Sequence, residues 1–248
     1  MFVAGCKKNN GTTPAPVYLP GVIKVTANGV VTDSTVYKYD DQNRLIERLD
    51  APNLNSDYKF TYDANDRLTE IDVYWSGTSS EKRIYTYGTG VVTEQVSGYR
   101  NGILAGTETI TYTLNPVQKV TRMDISPSGE HDIYTYDAGG NVATFDQYSG
   151  NNPSVPGNAF VYSYDIQKNP FLNVKGDISV FDPAFSSSNN IIKLTQTTTN
   201  PANTNVHYVY NTTSTYAYNA DGYPTSRTDI ITGTTDPHIA VTYTYIIK

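Results

Sequence analysis

The side chains able to do chemistry are few, and their spacing limits what they can do. His131, His207 and His238 are the three histidines, each alone in its region. None makes the paired spacing that places two ligands on one helix face, and no Cys/His cluster offers a zinc site. Cys6 is the single cysteine, so no disulfide supports the fold. A nucleophilic serine needs a neighbouring base and a sharp elbow to stand on, and no serine here occupies one. With 24 acidic residues, two carboxylates at the ~5–9.5 Å separation of glycoside hydrolysis arise by chance. Asp63-Ala64-Asn65-Asp66 presents several oxygens to a hard cation but lacks the glycine and distal bidentate glutamate of a calcium loop. The expectation is no catalytic residue, no metal and no cofactor.

Aromatic surface is the feature best able to bind something. There are 22 tyrosines, 7 phenylalanines and one tryptophan. Trp75, in Val73-Tyr74-Trp75-Ser76-Gly77, ends a strand-like run beside a glycine-bearing loop, and Tyr99 heads the turn tip Tyr99-Arg100-Asn101-Gly102. Aromatic faces stack on sugar rings, so Trp75, Tyr74 and Tyr99 are the candidate ligand-binding residues. The competing reading is that most tyrosines pack a sheet face, their hydroxyls reaching water or backbone.

That second reading follows from an internal repeat. Val36-Tyr37-Lys38-Tyr39, Ile84-Tyr85-Thr86-Tyr87, Ile133-Tyr134-Thr135-Tyr136, Val161-Tyr162-Ser163-Tyr164 and Thr215-Tyr216-Ala217-Tyr218 are versions of one segment. The markers Tyr39, Tyr62, Tyr87, Tyr112, Tyr136, Tyr164, Tyr218 and Tyr245 are separated by 23, 25, 25, 24, 28, 54 and 27 residues. A period near 25 fits a hairpin of two strands with their turns. The step of 54 reads as two periods with one diverged unit, giving nine units and up to eighteen strands. Residues two apart share a face of a strand, so the tyrosine pairs line one face and Lys38, Thr61, Thr86, Thr135, Ser163 and Thr244 the other.

The segments exit into matching turns. Asp40-Asp41-Gln42-Asn43-Arg44-Leu45 and Asp63-Ala64-Asn65-Asp66-Arg67-Leu68 agree position by position, with Asp137-Ala138-Gly139-Gly140-Asn141-Val142 and Asn219-Ala220-Asp221-Gly222-Tyr223 as looser copies. An Asp or Asn there bonds amides two residues on, and Asn or Gly accepts the positive φ that follows. Gly88, Thr113 and Ile246 stand where three units lack the acid. A sheet of more than ~10 strands must curl, split or close. The expected fold is all-β: an antiparallel up-and-down meander curled into a barrel-like or half-barrel sheet with the tyrosines inside. A membrane-spanning barrel would need a lipid-facing apolar band. The second face is Thr, Ser and Lys instead, so the sheet is expected to be soluble.

The N-terminus supplies an address. Val3-Ala4-Gly5-Cys6 resembles the lipobox of bacterial lipoproteins, where small residues let a peptidase reach the backbone and the cysteine thiol is acylated. Only five residues precede Cys6, fewer than a charged region plus an apolar segment of ~7–15 residues requires, so the true start is expected upstream. Residues 7–20 are Asn, Gly, Thr and Pro with almost no apolar content and read as a flexible tether. The expected organisation is a signal remnant over 1–6, a tether over 7–20 and one β-repeat domain over 21–248. Asp33-Ser34-Thr35 resembles an O-glycosylation site of exported Bacteroidetes proteins, whereas Asn10-Gly11-Thr12 and Asn211-Thr212-Thr213 fit the N-glycan sequon.

The Tyr-Asp…Arg-Leu pattern resembles the YD repeat of RHS-type proteins. Tyr164-Asp165-Ile166-Gln167-Lys168-Asn169-Pro170-Phe171, followed by Ser188-Asn189-Asn190-Ile191, resembles a family of uncharacterised Bacteroidetes lipoproteins with a porin-like fold. The resemblance spans residues 22–248 and implies an outer-membrane-anchored protein of the cell envelope, on a side it does not fix. It carries no known activity and no catalytic residues.

Composition closes off other classes. A net charge of -6 argues against nucleic acid as a partner, and no run of ~18 apolar residues can form a membrane-spanning helix. The leading expectation is a lipid-anchored, non-enzymatic binding or scaffold module whose contact with the membrane is the anchor at Cys6 and whose partner is a glycan or an envelope protein. The alternatives are a glycan-binding accessory lipoprotein and, last, a carbohydrate-active enzyme with two facing acids in a deep cleft.

Overall fold

The computed structural model describes residues 15–51, 56–75, 79–176, 187–200, 203–232 and 238–248. Sixteen strands run in chain order. The first eight are β1 (Tyr18–Ala27), β2 (Val30–Tyr39), β3 (Leu45–Ala51), β4 (Ser56–Tyr62), β5 (Leu68–Tyr74), β6 (Ser79–Gly88), β7 (Val91–Arg100) and β8 (Ile103–Leu114). They continue as β9 (Val120–Ser126), β10 (His131–Tyr136), β11 (Val142–Tyr148), β12 (Asn158–Tyr164), β13 (Ile191–Thr199), β14 (His207–Tyr218), β15 (Pro224–Thr232) and β16 (His238–Ile247).

Every strand pairs antiparallel with its sequence neighbours, and β1 pairs with β16, so the meander closes into a barrel. Val17 and Lys248 exchange both backbone hydrogen bonds across that seam. The tyrosine face turns inward. Tyr37, Phe60, Tyr85 and Tyr112 are buried with Leu45, Leu68, Ile71 and Val92 in a core contributed by β2 to β9. The inward residues of β10 to β14, such as Tyr134, Phe145, Phe160 and Tyr216, are half-buried. The hydroxyl and lysine face is outside: Lys38, Thr61, Thr86, Thr135, Ser163 and Thr244 are all exposed. Ion pairs such as Lys82 with Glu70, at 2.5 Å, add charge to that wall. Exposed apolar side chains, among them Ile84, Val161, Val209 and Ile230, stand between these polar positions.

Three expectations are corrected. The 54-residue step is not two periods. Tyr164 pairs directly with Ile191, so β12 meets β13 without an intervening hairpin, and the extra length is an insertion over 165–190. Among the described residues there are therefore eight two-strand units and sixteen strands. Thr113 does not stand in the place of the turn acid either. Tyr112 faces Met123 and Leu114 faces Val120, so this strand runs two residues further and its turn opens at Asn115. Finally, β1 starts at Tyr18, so the barrel takes in residues 18–20 of the stretch read as tether.

Candidate functional site

The turns from even-numbered to odd-numbered strands lie at one mouth of the barrel; one device builds those at Asp40, Asp63, Asn115, Asp137 and Asn219, whereas β6 turns into β7 more tightly, with Gly88 paired to Val91. Asp40 Oδ1 accepts the amides of Gln42 and Arg44, at 2.9 Å each, and Asp40 Oδ2 accepts Arg44 Nε at 2.7 Å. Asp63 repeats this with Asn65 and Arg67, at 2.8 to 3.0 Å. Asn115 accepts the amides of Val117 and Lys119 in the same way. The fourth position is left-handed in each copy: Asn43, Asp66, Gln118, Gly140 and Gly222 have φ of 67°, 61°, 62°, 81° and 80°. The cation then reaches the next unit. Arg44 lies 5.2 Å over Tyr62, Arg67 4.8 Å over Tyr87, and Lys119 4.9 Å over Tyr136. The Arg67 amide and guanidinium hold the Asp63 carboxyl below the usual carboxylate range. Asp63 is thereby committed to its turn and to Arg67.

The β12–β13 connection keeps this frame and opens it. The Asp165 amide still donates to the Asn190 carbonyl, as Asp137 does to Asn141, but 24 residues lie between. The inserted chain crosses the mouth. The Lys168 amide bonds the Gly222 carbonyl. Asn173 Nδ2 donates to the Tyr18 carbonyl at 3.0 Å and to the Tyr223 hydroxyl at 2.7 Å. The Lys175 amide bonds the Asn43 carbonyl at 2.9 Å, and Gly176 presses on the Tyr62 ring. Tyr62 ends β4, eight strands from β12 whichever way the ring is followed. Residues 165–176 thus plug the mouth from one side to the other, seated by Phe171 edge-on to Tyr37 with ring centroids 5.2 Å apart.

Beneath the plug is a cavity of about 230 Å3, walled by Pro170, Phe171, Ile191, Tyr216, Tyr243 and Arg227. Arg227 belongs to a pair that occurs twice on the inner wall. Arg48 faces Tyr37 and Arg227 faces Tyr216, at the same distance from their turns, and each is followed two residues later by an aspartate. Arg48 holds Asp50 with both Nε, at 3.0 Å, and Nη2, at 2.9 Å. Arg227 holds Asp229 through Nη2 at 2.9 Å, and its buried Nε has no partner.

The structure places the aromatic sequence candidates along one stretch of the wall. Tyr74 pairs with Ser80, and Ser80 with Tyr99, so Tyr74 and Tyr99 share one outer row with a strand between them. Tyr74 is 47% exposed and carries the Lys59 ammonium 5.3 Å over its ring. Trp75 packs instead against the core. Cys6 and Asn10-Gly11-Thr12 lie outside the described residues. His131 stacks on Tyr148 at 4.5 Å, and His207 Nδ1 is 3.2 Å from the Thr199 hydroxyl. Sequence reasoning missed Arg227. Its signal was present: Arg48-Leu49-Asp50 and Arg227-Thr228-Asp229 stand at one offset in the repeat, where other units carry apolar residues such as Ile71 and Val73.

No protein-family model and no curated protein matches the chain. Among solved structures, a porin-like protein from Bacteroides uniformis is similar over 92% of this chain and 96% of its own, with a TM-score of 0.54 and 13% identity. A porin-like protein from Bacteroides vulgatus covers 93% and 99%, with a TM-score of 0.46 and 10% identity. The first likeness defines the fold class: a porin-like antiparallel barrel, here with one mouth plugged.

Proposed function

We propose that the chain is a lipid-anchored module of the cell envelope, a water-facing barrel that binds or scaffolds and neither conducts nor catalyses. The insertion across the mouth carries this reading. A conducting porin keeps its lumen clear and surrounds itself with an apolar belt, whereas here Phe171 and Asn173 block the mouth and exposed Lys38, Thr61, Thr86, Thr135, Ser163 and Thr244 interrupt the apolar side chains of the outer wall. The anchor rests on Val3-Ala4-Gly5-Cys6 and the polar stretch after it. The porin-like fold shared with a Bacteroides protein supports an outer-membrane address. The recurring turn acids are committed to amides and guanidinium groups, which supports a structural and not a catalytic part for them.

The test is metabolic labelling with an alkyne fatty acid in a bacterial host that exports the chain behind a lipoprotein leader. Label in the outer-membrane fraction is expected, with Cys6→Ser losing it and moving to the soluble fraction. Unlabelled wild type, or a Cys6→Ser protein that resists carbonate extraction, overturns the anchor. Planar bilayers exposed to the purified chain should stay silent; steady single-channel steps overturn the plugged reading.

A further inference from the structure

We infer that the cavity beneath the plug is a site for a small apolar carboxylate, an aryl or medium-chain alkyl acid whose charged end meets Arg227. This deepens the binding reading above and depends on neither the anchor nor the location.

Two inner-wall arginines at the same place in the repeat provide an internal comparison, while a third, Arg83, is held by Glu81 and Glu94. Arg48 sits where the barrel is packed, with its guanidinium bidentate on Asp50 and its face over Tyr58 at 5.1 Å. Arg227 has the same place in the repeat but borders open space. It pairs with Asp229 through one nitrogen, hydrogen-bonds the Tyr216 hydroxyl, leaves Nε unpartnered and keeps 31% of its side chain accessible. A buried donor without an acceptor is costly, and a guanidinium offers five donors in a planar fork that matches a carboxylate. Asp229 is not short of partners, since it also accepts the Ser214 hydroxyl at 2.7 Å. Burial opposes the charge on Arg227, but Tyr243, Asp229 and Tyr216 beside it outweigh that and hold the proton.

The rest of the wall sets the other end of the ligand. Ile23, Val25, Pro170, Phe171, Ile191 and Val241 are apolar. The plug's polar members are already engaged: Asn190 on Asp165 and the Lys168 carbonyl, Asn169 with the Phe171 amide and the Asn189 carbonyl, and the Ser187 hydroxyl with the Val142 amide. An apolar cavity of ~150 Å3 admits a benzene ring. At about 230 Å3 this one takes a ligand of roughly nine to twelve non-hydrogen atoms by the same scale. One charged donor group at the edge of a chamber whose other polar side chains are engaged is the arrangement that selects an amphiphilic acid.

The experiment is calorimetric titration of the full chain with 3-phenylpropanoate and octanoate, each against its neutral alcohol. Wild type is expected to bind each acid about tenfold tighter than the alcohol. Arg227→Gln combined with Asp229→Asn, which removes both charges at nearly constant shape, should erase the preference and keep alcohol binding. Val25→Phe should fill the chamber and abolish both. Equal affinity of wild type for acid and alcohol, no heat with either up to millimolar ligand, or unchanged binding in Val25→Phe overturns the proposal. If the double variant does not fold, the acid–alcohol ratio and Val25→Phe still decide. A failed titration leaves the labelling and conductance results standing, and their failure leaves the titration intact.

Discussion

Tyr62 donates its hydroxyl to the Leu45 carbonyl at 2.8 Å, fastening β4 to the first residue of β3 at the plugged mouth. The same bond recurs from Tyr39 to Pro20, Tyr87 to Leu68, Tyr136 to Val120, Tyr164 to Val142 and Tyr245 to Pro224, at 2.7 to 2.9 Å. The turns at Asp40, Asp63 and Asn115 thus pair hairpins through the cation each places on the next tyrosine and the carbonyl it offers that tyrosine's hydroxyl. Tyr87→Phe keeps the ring under Arg67 and deletes the bond, so a loss of about 1 kcal/mol is expected. Tyr136→Phe should cost the same, and the double variant the sum, because distant sites add. Urea midpoints at constant slope measure it; a Tyr87→Phe midpoint equal to wild type would remove the clip from the account.

The turn acids predict how the barrel meets acid. Asp63 is held low by the Arg67 amide and guanidinium, and Asp137 by the Asn141 amides. Their ionised forms are favoured in the fold, so the unfolded chain binds protons first as pH falls. The stability they contribute is complete above the ordinary carboxylate value of ~3.9 and drains as pH drops through their lower folded values. Asp63→Asn keeps the acceptor oxygen for the turn amides and loses the charge on Arg67. It should shallow the decline of Tm between about pH 5 and about pH 2, and a scan of Tm against pH that superimposes on wild type contradicts this.

Asp132 works in the opposite sense. Burial pushes its carboxyl up to about 6, helped by Glu130 nearby and opposed by Tyr134. The unfolded chain releases this proton near ~3.9, whereas the folded chain keeps it to higher pH. Stability is therefore intact at low pH and is lost as pH rises through the folded value. Asp132→Asn should stabilise the barrel by about 1–2 kcal/mol at pH 7, after allowance for partial burial. Below about pH 4 the two proteins should unfold together. Paired denaturant curves at the two pH values test it, and a variant weaker than wild type at pH 7 refutes it.

The strands and their facing were legible because period two is visible in Tyr85-Thr86-Tyr87 and Tyr134-Thr135-Tyr136, and the turns because Asp40…Arg44 and Asp63…Arg67 are near copies. Closure was not, since pairing of Tyr18 with Ile247 joins residues at the two ends of the chain and no local pattern encodes it. The repeat count went astray at 165–190. A period of about 25 cannot distinguish a worn hairpin from an insertion of equal length, and only the bond from Asp165 to Asn190 shows that the turn was opened. Asn115 was missed because Tyr112 looks like a final tyrosine, while Leu114 fills that place. The cavity was out of reach for a different reason. Arg227 could be placed on the inner face by alternation, but the space beside it exists because the plug spans the mouth without filling the chamber below.

Phe171 packs with Val174 of the plug against the barrel core and meets Tyr37 edge-on. The barrel does not depend on it for closure, which comes from the β1–β16 ladder and the turn bonds. Phe171→Ala should therefore cost about 2–3 kcal/mol, less than the 3–5 kcal/mol of a fully buried phenylalanine, and the loss should fall on the plug. Cleavage within 165–176 by a protease at low concentration should rise about tenfold or more, as local opening becomes cheaper, while the far-ultraviolet circular dichroism of the strands stays unchanged. Asn173 and Lys175 would still bond to Tyr223 and Asn43, so the segment loosens without leaving. If the variant instead loses its strand signal, the plug is part of what holds the sixteen strands closed. If neither cleavage nor stability moves, the plug is seated by its hydrogen bonds alone.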